Sequence, residues 1–93
     1  MKKAFTPKTF LEIPTRAPDQ LGVAIAQLRL QAALTQAKLA KSAGIRQATV
    51  SKTEQGAAST ELKTIYAICA ALGLELVLRP RRKEKEFRVE EMS

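Results

Sequence analysis

The chain has no histidine, no tryptophan and a single cysteine among its 93 residues. A disulfide within the chain is therefore impossible, and a zinc site would lack its usual ligands. The commonest general base of enzymes is missing, and no glycine-rich phosphate loop or nucleophile–base set takes its place. These absences argue against an enzyme and against any metal or other cofactor.

Long apolar runs and aromatic residues are also scarce. No apolar stretch approaches the roughly 18 residues that a membrane-spanning helix needs. The basic start MKKAFTPKTF lacks the apolar segment of a secretory signal, so the sequence predicts a cytoplasmic protein without a membrane partner. With three Phe and one Tyr, the core must be built from aliphatic residues. A core in so short a chain is thin, which favours oligomerisation.

Positive charge is what the chain has in excess. It carries 16 Lys and Arg against 9 Asp and Glu, a formal net charge of +7, and the excess lies mainly in residues 1–56. A nucleic-acid partner would account for this charge, but a solvated basic surface would account for it equally well. Charge alone therefore leaves both interpretations open.

Apolar residues spaced three and four apart predict helices in the first part of residues 18–79. Proline and an early acid favour a helix start at Pro18, and this first helix is expected to run to Ala33. Thr35 is a good N-cap for a second helix, which should end at Gly44 because glycine readily adopts the left-handed backbone of a helix stop. A third helix is predicted over residues 47–55.

The last part of the predicted domain contains a fourth helix and a strand. Ser59 or Thr60 is expected to cap the helix, and Gly73 to end it. Its predicted apolar face consists of Leu62, Ile65, Ile68, Cys69 and Leu72, which makes Cys69 a small buried hydrophobe. Alternation in LELVLRP then predicts a strand over residues 74–79, with Leu74, Leu76, Val77 and Leu78 as its apolar side chains.

A lone strand is unstable and needs a partner. That partner is either the N-terminal segment TFLEI or the same strand of a second copy, and we favour the second copy because it would enlarge the thin core. The predicted fold is mainly α: a four- to five-helix bundle plus one strand that pairs across a homodimer. Residues 1–17 form an N-terminal extension, and residues 80–93 a charged tail expected to be disordered.

The second and third helices have the spacing of a helix-turn-helix unit. Ala40 is small where the two helices must cross, Gly44 turns the chain, and Ile45 is an apolar anchor. The third helix should present base-reading side chains, because Gln47 can pair with adenine and Arg46 can reach guanine or a phosphate, while Ala48 and the Thr49 methyl suit thymine. The predicted base-reading residues are Arg46, Gln47, Ala48, Thr49, Ser51 and Lys52.

The start of the second helix is predicted to contact phosphate. Helix N-termini bind anions through their unpaired amides, and Gln36 lies at that end with Lys38 and Lys41 nearby. Such contacts position a protein without reading sequence. Because one reading helix covers few bases, two copies on a palindromic double-stranded operator are expected.

The stretch TQAKLAKSAGIRQATVSKTEQG, followed by STELKTIYAICAALGLEL, resembles the Cro/C1-type (Xre) helix-turn-helix family, whose fold is lambda-repressor-like. The resemblance covers residues 18–79. The chain departs from the family pattern at Thr53, where a large apolar residue is usual, and at Arg46, where a capping Ser or Thr is common. Looser packing of the third helix is expected at Thr53.

Within that family, GIRQATVSKTEQ and the terminal LELVLR are most similar to the HipB antitoxins. The resemblance implies a homodimer whose C-terminal strands pair, and a repressor of its own operon. It also implies a complex that holds a HipA-type serine/threonine kinase toxin inactive. Two alternatives remain: a stand-alone regulator, phage-like or controlling a restriction system, and a protein-interaction bundle that never touches DNA.

Overall fold

The computed structural model describes residues 12–82, and four α-helices lie within that range. They are α1 (Pro18–Gln31), α2 (Gln36–Ala43), α3 (Gln47–Glu54) and α4 (Leu62–Ala71). The predicted mainly α fold is confirmed. In residues 12–82, no helix is long and apolar enough to cross a membrane. The predictions for most of the N-terminal extension and the charged tail concern residues 1–11 and 83–93, which lie outside the described residues.

The core lies where the four helices meet. Helix α2 packs against both α3 and α4, while α1 packs against α3. Each helix contributes at least one fully buried aliphatic side chain; the largest of these side chains are Ile25, Leu39, Val50, Ile68 and Leu72. Burial of each stabilises the fold by about 1.5–3 kcal/mol. This small aliphatic core fixes the position of α3 against the other helices.

All four helices end in the same reverse turn. In each, a backbone N–H donates to the carbonyl five residues earlier: Leu34 to Arg29, Ile45 to Ala40, Ala57 to Lys52, and Leu74 to Cys69, at 2.7–3.1 Å. The residue before the donor has a left-handed backbone, and it is glycine in three helices and Ala33 (φ 59°) in α1. Such a turn satisfies carbonyl groups that a helix end leaves unpaired.

Two predicted helix ends are wrong. Helix α1 ends at Gln31, not Ala33, because Ala33 takes the left-handed position of the turn. Helix α4 is capped by Glu61, not by Ser59 or Thr60. The Thr60 hydroxyl instead donates to the Ala57 carbonyl at 2.9 Å, within the loop before the helix.

The predicted apolar face of α4 is correct except at its first residue. Ile65, Ile68, Cys69 and Leu72 are buried, but Leu62 is 63% exposed. Thr64 is buried instead, because it lies one residue before Ile65 on the side that packs inward. Cys69 is the buried hydrophobe expected, and burial raises the pKa of its thiol, which therefore stays protonated at neutral pH.

Residues 74–82 form neither helix nor strand in the single chain. A strand over residues 74–79 requires a partner backbone, and its pairing across a homodimer remains a prediction. These residues lie beside residues 12–16: the Arg79 guanidinium pairs with the Glu12 carboxylate, and Arg16 Nη2 donates to the Arg82 carbonyl at 2.9 Å. The two segments and α1 border an open groove of about 800 Å³.

Candidate nucleic-acid interface

Helices α2 and α3 form the predicted helix-turn-helix unit. Gly44 ends α2 with φ 73°, and the N–H of Ile45 donates to the Ala40 carbonyl at 2.9 Å. A residue with a β-carbon is strained at φ 73°, which is why glycine suits this turn. Ala40 is buried where the two helices pack, and Ile45 packs against the core. The turn thus holds α3 at a defined angle to α2.

The N-terminus of α2 is built by Thr35 and Gln36. The Thr35 Oγ1 accepts a hydrogen bond from the Lys38 N–H at 3.0 Å, which confirms Thr35 as the N-cap. The half-buried Gln36 side chain donates from Nε2 to the Glu54 Oε1 at 2.9 Å. Lys38 and Lys41 are exposed on the same helix. The two lysines are therefore available to an anion, together with the amides of the first turn that remain without an intrahelical partner.

The outward side of α3 carries most of the predicted base-reading residues. Val50 and Thr53 are buried and define the inward side. Arg46, Gln47, Ala48 and Lys52 are exposed, whereas Thr49 and Ser51 are only half-buried. The Arg46 guanidinium makes no capping hydrogen bond to α3, although Arg46 is its N-cap residue. The four exposed residues can reach a ligand in front of α3 without rearrangement.

Ser51 and Gln55 form a pair that the sequence analysis missed. The Gln55 Nε2 donates to the Ser51 Oγ at 3.1 Å, so the Ser51 hydroxyl is held by a neighbour one turn later. Gln55 is exposed and follows the last residue of α3. Its spacing of seven residues from Ala48 places both on the outward side, and this spacing could have identified Gln55 from the sequence.

The α2–α3 surface is positively charged. Lys38, Lys41, Arg46 and Lys52 are exposed, and Glu54 is the single acid between residues 30 and 60. Its side chain is 7% exposed and forms an ion pair with Arg29 at 2.7 Å. The acid therefore does not offset the four outward cations, which would attract a polyanion to this surface.

The Arg29–Glu54 pair was not among the predicted site residues. Both residues look like solvated charges when each is read alone, and 25 residues separate them. A signal was present, because Arg29 follows Ile25 by four residues and so lies on the buried side of α1. An arginine on that side needs a partner from another helix, and Glu54 supplies it.

Thr53 occupies the position where a large apolar residue was expected. It is buried, and its hydroxyl donates to the Thr49 carbonyl at 2.8 Å. A small open notch of about 200 Å³ lies beside it, bordered by Leu21 and Ile65 among others. The Thr53 side chain fills less of this space than a large apolar residue would, and looser packing of α3 there remains a prediction.

Comparison with known proteins agrees with this architecture. The helix-turn-helix family model matches residues 25–78, more than half of the chain. Two curated relatives named Antitoxin HipB, from Escherichia coli O6:H1 (strain CFT073) and Escherichia coli (strain K12), are each 40% identical over 62 residues. The matched region is 67% of this chain, 66% of the first relative and 70% of the second. The chain thus spans about two thirds of these relatives' length.

Solved structures of similar chains have the same fold. The HipB chain in a "HipB-O4 20mer complex" superposes with a TM-score of 0.72 at 35% identity, covering 76% of this chain and 100% of its own. A chain in a "HipA-HipB-O2-O3 complex" gives 0.68 at 37% identity, covering 78% and 100%. Fold, motif and identity agree: the chain belongs to the Cro/C1-type (Xre) helix-turn-helix family, in its HipB antitoxin branch.

Proposed function

We propose that the protein is a sequence-specific DNA-binding repressor that acts as the antitoxin of a type II toxin–antitoxin pair. The observation that carries this proposal is the outward side of α3, which combines exposed short or amide side chains with exposed cations. A merely solvated helix tolerates Ala48, since alanine is the best helix former, but it does not require this combination of residues. A helix lying in the major groove does, because small side chains let it approach the base edges closely.

The predicted contact residues divide into two roles. Gln47 and Arg46 are the base readers, with Ala48 and Thr49 against thymine methyl groups and Ser51 and Lys52 at the far end of the contact. Gln36 and Lys38 in the first turn of α2, and Lys41 in its last turn, bind the phosphate backbone. Phosphate contacts provide salt-dependent affinity, and base contacts provide discrimination.

Two substitutions separate these roles. Gln47→Ala should weaken binding to a duplex selected from a random pool by about 5- to 150-fold, with little effect on a scrambled duplex. Lys38→Ala should weaken binding to both duplexes and lower the salt slope by about one. Titrations at several salt concentrations measure both quantities.

Exposed residues outside the surface provide the matched controls. Gln27→Ala on α1 and Lys63→Ala on α4 remove the same groups as the two test substitutions. Gln27→Ala should leave the preference for the selected duplex unchanged, and Lys63→Ala should leave the affinity for both duplexes and the salt slope nearly unchanged. Equal losses on both duplexes for Gln47→Ala would contradict base reading and favour a bundle that does not read DNA.

A homodimer formed through residues 74–79 is the second part of the proposal. Leu76, Val77 and Leu78 are exposed in the single chain, and Leu74 is half-buried against the core. Exposed apolar residues are costly in water, and a dimer formed through a paired strand would cover Leu76 and Leu78, which lie on the same face of a strand as Leu74. Two copies would then present two α3 helices to the successive half-sites of a palindromic operator.

The third part of the proposal is a HipA-type serine/threonine kinase as the toxin that the protein neutralises. A similar chain is described in a "HipA-HipB-O2-O3 complex", so that relative assembles with both partners at once. Co-purification of the tagged full chain from its native host tests this part. A stoichiometric kinase that survives high salt would support it. We further propose that the protein represses its own operon.

The alternative is a stand-alone regulator without a toxin. It uses the same α3 surface and predicts the same DNA titrations. Recovery of the homodimer alone, with the product of the neighbouring gene present in the lysate, would favour this alternative.

A further inference from the structure

Four parts of the molecule meet at the Arg29–Glu54 ion pair. Arg29, at the end of α1, donates from Nε to Oε2 at 2.7 Å and from Nη2 to Oε1 at 3.1 Å. The same guanidinium donates from Nη1 to the Leu34 carbonyl in the α1–α2 turn at 2.8 Å. Gln36, the first residue of α2, donates from Nε2 to Glu54 Oε1 at 2.9 Å. Glu54 therefore links α3 to the N-terminus of α2.

The position of this carboxylate is closely fixed. The Glu54 and Arg29 side chains are 7% and 12% exposed, and the two hydrogen bonds between them are the bidentate kind that restricts orientation. The Glu54 backbone is fixed as well, because its carbonyl oxygen lies 2.5 Å from where a β-carbon on Gly22 would be. A carboxylate held in this way can fix the orientation of the neighbouring Gln36 side chain.

Glu54 decides which end of the Gln36 amide faces inward. An ionised carboxylate only accepts hydrogen bonds, so the amide nitrogen and not the amide oxygen must face it. That nitrogen carries a second N–H, which the planar amide directs away from Glu54. Without the carboxylate, the amide could turn by 180° and present its oxygen to a phosphate, where it would repel the anion.

We infer that Glu54 is a positioning residue that orients Gln36 to donate a hydrogen bond to a DNA phosphate. The inference deepens the proposed DNA-binding function and rests on it. The expected change in DNA affinity has an unusual sign, because removing a negative charge from a DNA-binding protein ordinarily raises affinity. Here the neutral Glu54→Gln variant binds more weakly, since the lost orientation of Gln36 outweighs the lost charge.

A double-mutant cycle on the full chain tests the inference. The probe is the duplex that the unmodified protein selects from a random pool, and the variants are Glu54→Gln, Gln36→Ala and the pair. Each single substitution should weaken binding about five- to tenfold, and the double variant should bind no more weakly than Gln36→Ala. Glu61→Gln, at an exposed acid before α4, is the charge control and should bind equally well or slightly better.

A second measurement separates positioning from a general structural role. In a series of duplexes, one phosphate at a time is replaced by a neutral methylphosphonate, and the affinity of the unmodified protein is measured for each. The phosphate contacted by Gln36 is one at which the replacement weakens binding of the unmodified protein. Glu54→Gln and Gln36→Ala should both lose sensitivity at that same phosphate and keep it elsewhere. A merely destabilised protein would keep the pattern and lower affinity at all positions.

Glu54→Asp covers the case in which Glu54→Gln fails to fold. It keeps a negative charge facing Arg29 but moves the carboxylate back by one methylene from both Arg29 and Gln36. It should therefore show the same loss at the same phosphate, with circular dichroism unchanged. Affinity equal to or above that of the unmodified protein, or single-variant losses that multiply in the double variant, would overturn the inference. If the unmodified protein selects no duplex, the proposed function fails first and this inference fails with it.

Discussion

The α2–α3 unit and the segment of residues 74–82 use similar apolar residues in opposite ways. In the helical unit, Leu39 and Val50 are completely buried, and the polar residues between them face outward. In the C-terminal segment, Leu78 is 99% exposed, and Leu76 and Val77 are exposed as well. Both regions have a regular apolar pattern, yet only in the first are the apolar side chains buried within a single chain.

The difference follows from where each element finds its hydrogen bonds. A helix pairs its own backbone groups and needs a neighbour only for its apolar side, which the other three helices provide here. A strand must find both its backbone partners and its apolar cover in another segment. The α2–α3 unit is thus complete in the monomer, whereas residues 74–79 are completed by the proposed second copy.

The largest effect is expected from Leu39→Ala, in the core of the α2–α3 unit. Leu39 is fully buried, so truncation removes apolar contacts and leaves a cavity. The free energy of unfolding should fall by about 2–5 kcal/mol. Urea denaturation at a dilute, fixed protein concentration measures this change. A loss below 1 kcal/mol would show that the core collapses around the site.

Gly22→Ala should have the next largest effect, because it separates α1 from α3. The new β-carbon would lie 2.5 Å from the Glu54 carbonyl oxygen and 2.6 Å from that of Thr53, and both are backbone atoms. Overpacking of this kind costs about 1–3 kcal/mol, more than the gain of about 1 kcal/mol in helix propensity. Thermal unfolding followed by circular dichroism should show a lower midpoint. An unchanged or raised midpoint would mean that the two helices are farther apart.

Ala33→Gly is expected to stabilise the protein slightly. Ala33 has φ 59° in the turn before α2, the position that glycine fills after the other three helices. Relief of the left-handed strain should raise the free energy of unfolding by about 0.5–1 kcal/mol. The same substitution at Ala70, exposed within α4, should instead lower it by about 1 kcal/mol. Urea denaturation measures both changes in the free energy of unfolding. Changes of opposite sign would confirm the role of the backbone angle, and changes of the same sign would contradict it.

The smallest effect on unfolding is expected from Leu78→Ala, the counterpart of Leu39→Ala in the C-terminal segment. At concentrations where the chain is monomeric, the free energy of unfolding should change by less than about 0.5 kcal/mol. Sedimentation velocity should nevertheless show a weaker dimer, because the exposed side chain is proposed to pack against the second copy. A dimer of unchanged strength would move the interface away from residues 74–79.

The helices were largely predictable because their signals are local. Thr35 caps α2 and Gly44 ends it, as each residue's own backbone preferences require. The outward position of Gln47 followed from the periodicity of α3. The start of α4 was missed because Ser59 and Thr60 are good caps by type, whereas the loop uses the Thr60 hydroxyl to bond Ala57.

The network behind the α2–α3 surface was not predictable in the same way. Arg29 and Glu54 belong to different helices, and their pairing depends on the close approach that Gly22 permits. Gln36 was predicted as a phosphate contact from its place at a helix start, but its bond to Glu54 depends on the packing of α2 against α3. Only a folded chain brings these three side chains together.

The sequence by itself determined the helix-turn-helix unit and most helix ends, because caps, glycine stops and apolar periodicity act within a few residues. It also determined the positive charge of the α2–α3 surface, since the stretch contains four cations and one acid. The tertiary structure decided that this acid turns inward to Arg29 and Gln36, because only packing among α1, α2 and α3 places them within hydrogen-bond distance.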